Sequence, residues 1–340
     1  MIPQGVGVGL LADRAIPELV RAAREAEEGG CDGVWVPDER FFRDTYAVLA
    51  ALAAATGRVR LGPCVTDPFS RHPALTAMAI GTINEISGGR AVLGMGTGIS
   101  GFSALGITPR RTVRAIREAV ELIRALLREG TAEAAGEVFT FRGKLDFQAQ
   151  SVPVFIAGRG PKVLELAGEI GDGVILGSLA SPGGLAYAEA RLAAGAARAG
   201  RDPGAIDRMI WLHTYVHEDG RLARRSARRI IISVLQSSRD IIPALDVTVP
   251  PALARLIEEA PYGYHWNAPP EALALVPDPL VDAFTAAGTP EEVAAAVGRL
   301  HRAGIRHVAF RLWASQGQQP ADVQHLVLDQ VLPRLGRVTA

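Results

Sequence analysis

Two adjacent carboxylates, Asp38 and Glu39, follow a short apolar run that ends at Val36. Further along the chain, Thr66 follows a second such run, and the loop Gly96-Thr97-Gly98 follows a third. Neighbouring carboxylates and a hydroxyl can orient the polar edge of a ring or move a proton when a fold brings them together. An Asp–Glu pair at a strand end is also typical of structural capping, so spacing alone leaves both interpretations open.

A second feature is the segment Gly158-Arg159-Gly160-Pro161-Lys162, which lies between an apolar run and a helical stretch. Backbone N–H groups of a first helical turn can bind a phosphate, glycines allow close approach, and Pro161 suits the first helical position. The segment lacks the GxxxxGK[ST] pattern of a Walker loop and the full GxGxxG spacing of a dinucleotide site, so a nicotinamide cofactor is not indicated. A phosphate site and an ordinary βα turn both remain open.

The histidines and cysteines do not indicate a metal site. His213 and His217 lie four residues apart on a predicted strand, and hence on one face. A zinc site needs a third ligand, which the sequence does not offer, so packing in a core or pocket is favoured. Cys31 and Cys64 are too few for a disulfide framework, and no CxxC, HExxH or GxSxG motif occurs. We therefore predict no bound metal.

The elements that would position these groups alternate regularly along the chain. Short β-branched runs precede longer stretches of helical periodicity. Strands are predicted at Val6–Leu10, Gly33–Val36, Arg60–Val65, Ala91–Met95, Val154–Ala157, Val174–Leu176, Met209–Val216 and His307–Leu312. Helices are predicted at Ile16–Glu28, Tyr46–Thr56, Leu75–Ile86, Thr112–Arg128, Pro161–Ile170, Leu185–Ala199, Pro290–Ala303 and Ala321–Leu335. Eight alternations favour a closed (β/α)8 TIM barrel, whose strands would deliver the groups above to one C-terminal mouth.

One interval, residues 218–288, interrupts this alternation. It contains a basic stretch, Arg221–Leu235, and then a region rich in proline. Long irregular insertions in a compact domain tend to be lids or binding loops. We therefore expect one barrel domain over residues 1–340, with an insertion or lid before its eighth βα unit. The helical spacing of the arginines is typical of a solvated face, with contact to a partner or a polyanionic tail as the alternative.

Composition restricts the partners. The 340 residues are 48% hydrophobic and 21% charged, a balance that can bury a substantial core. Thirty-six basic and thirty-six acidic residues give no net charge, so no global field favours nucleic acid or an anionic membrane. The chain shows neither a signal-peptide pattern nor eighteen consecutive apolar residues. We expect a cytoplasmic protein that binds neither nucleic acid nor membrane.

Five segments together resemble the luciferase-like family of flavin and deazaflavin oxidoreductases, and within it the methylenetetrahydromethanopterin reductases. The segments are LGPCVTDPFSRHPA (Leu61–Ala74), INEISGGRAVLGMGTG (Ile83–Gly98), ALGITP (Ala104–Pro109), IAGRGPKVLELAGEIGDGVILGS (Ile156–Ser178) and DAFTAAGTPEEV (Asp282–Val293). None is specific alone, but together they are specific, and the resemblance extends over nearly the whole chain. The resemblance implies a (β/α)8 barrel, a tricyclic ring at its C-terminal mouth and a homodimer.

The resemblance also implies a set of site residues. Asp38 matches an aspartate beside the ring, and Glu39 stands where relatives often have histidine. The Cys64–Val65 bond matches a non-prolyl cis peptide behind the ring, and Thr66 would face the ring edge. Catalytic roles are thus expected for Asp38 and Glu39. Cofactor contacts are expected from Asp38, Cys64, Val65, Thr66, Gly96, Thr97, Gly98, Ala157, Gly158, Arg159, Gly160, Pro161, Lys162, Gly177 and Ser178.

The function that the resemblance implies is hydride transfer between coenzyme F420 and a small organic substrate. One alternative is a two-component monooxygenase that uses FMN, reduced by a partner flavin reductase. A second is a non-catalytic flavin-binding barrel. The substrate itself stays open, because the insertion carries no recognisable code and Ile99-Ser100 stand where reductase relatives commonly have an acidic residue.

Overall fold

The computed structural model describes residues 5–98, 101–261 and 263–335. Its strands are β1 (Gly5–Gly9), β2 (Gly33–Val36), β3 (Arg60–Pro63), β4 (Leu93–Met95), β5 (Thr131–Ala135), β6 (Thr140–Lys144), β7 (Val154–Gly158), β8 (Gly173–Gly177), β9 (Asp207–Val216), β10 (Thr285–Gly288) and β11 (His307–Leu312). The main sheet has the parallel order β3-β2-β1-β11-β9-β8-β7-β4. Parallel bridges Leu61–Ala91 and Thr66–Met95 join its two edges. The sheet thereby closes, and the predicted barrel of eight strands is confirmed.

Helices follow the strands around the outside of the barrel. Their bounds are α1 (Ile16–Glu28), α2 (Thr45–Ala55), α3 (Pro73–Ile86), α4 (Thr112–Glu129), α5 (Pro161–Ile170), α6 (Pro182–Arg198), α7 (Gly220–Ser237), α8 (Pro251–Glu259), α9 (Pro270–Ala274), α10 (Asp278–Phe284), α11 (Pro290–Arg302) and α12 (Pro320–Leu326). The last predicted helix is shorter than expected, because α12 passes into a π turn and then a 3₁₀ turn. Within the described ranges, no helix combines the length and apolarity that a membrane span requires.

The inward face of β1 consists of glycine. Gly5, Gly7 and Gly9 alternate with valines that pack outward, as the two-residue period of a strand requires. A Cβ at Gly7 would lie 2.7 Å from Trp35 Nε1, and one at Gly9 would overlap the ring of Trp211. The missing side chains of β1 therefore make room for two indoles from other strands. The interior cluster they join contains Trp35, Cys64, Val92, Phe155, Ile175, Met209 and Ala309, with Trp211 packed against it.

Residues 131–144, for which neither a strand nor a helix is predicted from the sequence, form the antiparallel hairpin β5–β6. The hairpin is tied to α4 by Glu118, whose carboxylate accepts N–H bonds from Glu137, Val138 and Phe139 at 2.9–3.1 Å. Burial alone would raise the pKa of Glu118, but these bonds and the ion pair with Arg114 lower it to about 2. The anion therefore holds the hairpin in place.

Residues 218–288 contain α7 to α10 and the strand β10, which extends the sheet by pairing with the outer half of β9. The basic face of α7 contacts the rest of this segment. Arg224 pairs with Asp282 on α10, and Arg228 pairs with Asp278 at 3.1 Å. Arg229 donates to two carbonyl oxygens of the 3₁₀ turn 264–267. The prediction of a solvated helix face is therefore wrong for these three arginines, because the acidic helix α10 lies beside them.

Candidate active site

The C-terminal ends of the barrel strands converge on one mouth. Strand register places Gly9, Arg311 and His213 side by side on β1, β11 and β9. Gly177 of β8 pairs in the same way with Trp211 of β9. Residues that follow β2, β3, β4 and β7 complete the ring. Every predicted site residue therefore lies at or just beyond a strand end on this side.

The first polar cluster of the mouth is centred on Asp38, which follows β2. Thr66 Oγ1, after β3, donates to Asp38 Oδ2 at 2.7 Å. Arg40 Nη1 lies 3.0 Å from Asp38 Oδ1, and Arg40 Nη2 pairs with Asp67 and Ser70. Both carboxylate oxygens of Asp38 are therefore engaged, and the side chain has one fixed orientation.

Asp67 makes the second half of this cluster rigid. It is 1% exposed, and its Oδ1 accepts the N–H groups of Phe69 and Ser70 at 2.7 and 2.8 Å. Its Oδ2 accepts the Ser70 hydroxyl at 2.8 Å and pairs with Arg40. A buried carboxylate is tolerated when it is paired and hydrogen-bonded in this way. Sequence reasoning did not assign roles to Arg40, Asp67 or Ser70, although all three stand close to the predicted residues.

The carboxylate of Glu39, unlike that of its neighbour Asp38, is not held by other side chains of the described residues. In the described part of the chain, its half-buried carboxylate makes no hydrogen bond or ion pair. Its charge acts on Arg311 of β11, two strands away around the barrel. Burial lowers the pKa of Arg311, and the charges of Glu39 and Asp13 oppose that shift. The Arg311 guanidinium also lies 4.4 Å from the ring centroid of Trp313, a favourable cation–π distance. Of the two predicted carboxylates, Glu39 is thus the one available to a bound molecule.

The second polar cluster lies around His213. Its Nδ1 accepts the Trp313 Nε1–H at 2.9 Å, and the Tyr215 ring is stacked on Trp313 with an angle of 11°. Burial, together with the charges of Arg311 and Arg159, lowers the pKa of His213 to about 3. The imidazole is therefore neutral near pH 7. No signal in the sequence indicates this pairing, because the two partners are 100 residues apart.

The opposite side of the mouth, at the ends of β4, β7 and β8, has few side chains. A Cβ at Gly96 would lie 3.0 Å from Val65 Cγ2 and 3.2 Å from the Ala157 carbonyl oxygen. At Gly177 it would lie 3.4 Å from Arg159 Nε, and at Gly160 it would meet nothing within 4 Å. We call these three positions the glycine wall: they add no side-chain bulk to this part of the mouth, and open space where a Cβ would stand is found at Gly160.

The N-terminus of α5 adjoins the glycine wall. Its cap residue, Gly160, supplies no side chain, and Pro161 has no N–H. In the part of the chain that the structure describes, the N–H groups of Gly160 and Lys162 make no hydrogen bond. Nearby, Arg159 Nη1 donates to Ser238 Oγ at 3.0 Å. Free N–H groups at a helix N-terminus form a suitable site for a phosphate.

The remaining predicted residues are more buried. The Cys64–Val65 bond is cis, as predicted, and a second non-prolyl cis bond joins Arg40 and Phe41. Cys64 packs inside the barrel, and Thr66 is fully buried behind Asp38.

Three further predicted contact residues lie at the ends of β4 and β8. Thr97 and Gly98 are half-buried, and the predicted departure at Ile99-Ser100 lies outside the described residues. Ser178 has a φ of +59° and is 2% exposed. Both its N–H and its hydroxyl donate to the Trp211 carbonyl oxygen, at 3.0 and 3.3 Å. Its side chain therefore holds the end of β8 against β9.

Known proteins resemble this chain over most of its length. A family model described as luciferase-like monooxygenase matches residues 1–307. A 5,10-methylenetetrahydromethanopterin reductase of Archaeoglobus fulgidus is 36% identical, over 89% of this chain and 91% of its own. An F420-dependent glucose-6-phosphate dehydrogenase of Kineococcus radiotolerans is 32% identical, over 91% of each. The solved structure of the coenzyme F420 dependent tetrahydromethanopterin reductase of Methanopyrus kandleri matches with a TM-score of 0.82 and 27% identity, over 98% of this chain and all of its own. The chain belongs to the luciferase-like monooxygenase family.

Proposed function

We propose that this protein is a coenzyme F420-dependent oxidoreductase that transfers hydride between the deazaflavin ring and a small organic substrate. The choice of cofactor rests on relatives that are named for F420 and align along nearly the whole chain. The observation that carries the site is the glycine wall next to the uncapped N-terminus of α5. The wall suits a large flat ring system, and the helix suits the phosphate attached to it.

The residues of the mouth fit such a group. The ring would lie against Gly96, Ala157 and Gly177, and its phosphate would accept the N–H groups of Gly160 and Lys162. Bound there, F420 would supply a hydride donor or acceptor that does not activate oxygen. The position of Asp38, fixed by Thr66 and Arg40, lets its carboxylate orient the polar ring edge.

Proton handling is assigned to Glu39. Its carboxylate faces the mouth without a hydrogen-bond partner among the described residues, whereas both oxygens of Asp38 are engaged. A substrate that gains hydride at a carbonyl carbon must also gain a proton on oxygen, and a positioned carboxylic acid can donate it. The arginine Arg311, on which the charge of Glu39 acts, would hold an anionic group of the substrate.

We further propose that residues 218–288 act as a lid and that the protein is a homodimer. Trp266, in the 3₁₀ turn of this segment, is 58% exposed, and its ring centroid lies 6.0 Å from that of Trp313 at the mouth. A bound substrate would bring the two indoles closer and protect this segment from proteolysis. Light scattering after size exclusion tests the dimer.

The decisive experiment is a pair of binding titrations of the purified protein with F420 and with FMN, followed by absorbance. We expect F420 to bind with a Kd at least tenfold lower than FMN, and reduced F420 to remain stable in air when bound. Tighter binding of FMN, with oxygen consumption when reduced FMN is supplied, would instead indicate a two-component monooxygenase. Binding of either cofactor without turnover of any carbonyl or iminium substrate would indicate a non-catalytic barrel.

A further inference from the structure

The N-terminal end of the barrel contains a second polar cavity, on the side opposite the mouth. It has a volume of about 220 Å³ and is lined by Arg60 at the start of β3, His307 at the start of β11, Trp35 and Asp32. Arg60 also lines an adjoining groove of about 820 Å³. No step of the proposed reaction uses this end of the barrel, and we name it the floor cavity.

Hydrogen-bonding groups in the floor cavity lack protein partners. His307 is 7% exposed, and its Nε2 is buried without a hydrogen bond. Among the described residues, the half-buried guanidinium of Arg60 makes no hydrogen bond or ion pair. The Trp35 indole N–H has no acceptor there either. Buried polar groups in native proteins almost always have a partner, so the buried Nε2 of His307, beside two further donors that lack an acceptor, indicates that a polar molecule fills the cavity.

The charges around the cavity select an anion. Arg58 and Arg60 line it, and Asp32 is the carboxylate that lines it beside them. Asp207 lines the adjoining groove, pairs with Arg306 at 3.4 Å, and acts through its charge on His307. Guanidinium groups bind oxyanions through paired N–H donors, and a neutral imidazole or an indole adds a further donor.

The carboxylate that lines the floor cavity, Asp32, selects among anions. Burial raises the pKa of Asp32, and the hydrogen bond from the N–H of Val6 opposes that shift. A carboxylate repels an oxyanion that carries no hydrogen but accepts a hydrogen bond from one that does. We propose that the floor cavity binds an oxyanion of the hydrogen phosphate class, between Arg60, His307 and Asp32. Free phosphate and small phosphate monoesters share this chemistry.

The test is calorimetric titration with inorganic phosphate, sulfate and glycerol 3-phosphate at constant ionic strength. The proposed cofactor site also attracts phosphate, so the titrations use both the natural protein and the Gly160→Val variant, which obstructs that site. We expect saturable phosphate binding in both proteins and sulfate binding at least tenfold weaker. Glycerol 3-phosphate binding as tightly as phosphate would identify monoesters as ligands, and weaker binding would identify the free ion.

Two variants and a matched control locate the site. Arg60→Gln should raise the Kd for phosphate about tenfold or more, because it removes a charge-assisted pair of hydrogen bonds. Arg255→Gln removes an exposed arginine of α8 and should leave the Kd unchanged. Asp32→Asn should strengthen sulfate binding to within about threefold of phosphate. Misfolding would weaken binding, so it cannot explain a gain in sulfate affinity.

No saturable phosphate binding, or binding that Arg60→Gln leaves unchanged, overturns the proposal and leaves water as the occupant. These outcomes are independent of the cofactor. A protein that binds phosphate on its floor but fails to bind F420 would refute the proposed function alone.

Discussion

Replacing Gly160 with valine tests the phosphate site at α5 directly. Gly160 has a φ of −68°, which valine adopts without strain, and a Cβ there meets nothing within 4 Å. The substitution replaces a favourable N-cap residue with a poor one, at a cost of roughly 1 kcal/mol in folding stability. The new side chain would point into the space that the proposed phosphate occupies.

The expected loss follows from the hydrogen bonds. Each backbone N–H bond to a charged phosphate contributes about 1.5–3 kcal/mol. Obstructing one of the two bonds, from Gly160 and Lys162, should raise the Kd for the cofactor about 10- to 150-fold. Lys162→Ala keeps both N–H groups and removes only a surface charge, so its Kd should change less than about threefold.

The assay is a fluorescence or absorbance titration with F420, with Gly57→Val as the matched control. Gly57 also has open space around its Cβ position but lies in the loop before β3, away from the mouth. Thermal unfolding should show both valine variants folded. Equal and small effects of Gly160→Val and Lys162→Ala on the Kd would refute a phosphate site held by backbone N–H groups.

Three further predictions concern the mouth and the barrel interior. Glu39→Gln should lower kcat about 10²-fold and leave the Kd for F420 almost unchanged. Asp38→Asn should lower kcat by a similar factor and raise the Kd for F420 by up to about tenfold. An unchanged kcat in steady-state assays would show that the substituted residue has a structural role. Gly9→Val should destabilise the fold by roughly 1–3 kcal/mol in urea unfolding, because its side chain overlaps the Trp211 ring; full stability would show that the indole can move. The pKa of His213 is about 3 in the folded protein, against the ordinary histidine value of 6.5. As the pH falls below 6.5, the unfolded chain therefore takes up a proton at this residue before the folded protein does. The free energy of unfolding should fall by about 1.4 kcal/mol per pH unit between pH 6.5 and pH 3. His213→Gln should remove that part of the slope, and an unchanged slope would place the proton uptake elsewhere.

The barrel could be predicted because its strands have strong local signals. Runs such as Val34 to Val36 are buried on both faces, so they are short, β-branched and bounded by glycine. The hairpin β5–β6 was missed because its strands, TAEAA and TFRGK, alternate exposed and half-buried positions and carry few apolar residues. What orders it is Glu118, a residue of the preceding helix. A local pattern cannot report such a tertiary contact.

For the candidate site too, local features could be predicted from the sequence and tertiary contacts could not. Asp38, Thr66 and the segment around Gly160 were found because each follows a recognisable strand, and strand ends meet at one mouth. The partners of these residues were not found, because they depend on which loops become neighbours. Arg40 reaches Asp67 only when the loops after β2 and β3 lie side by side, and nothing in either loop indicates that contact.

The distribution of charge along the barrel axis links the two proposed sites. Inside the barrel, Met209 and Trp211 of β9 pack with apolar residues of other strands. At the mouth, Arg40 has Asp38 and Asp67, and Arg311 has the charge of Glu39. At the floor, the Arg60 guanidinium makes no hydrogen bond or ion pair among the described residues, and Asp32 is the carboxylate that lines the cavity with Arg58 and Arg60. This difference between the two ends of the barrel is the physical reason to expect that the anion of the floor cavity comes from solution.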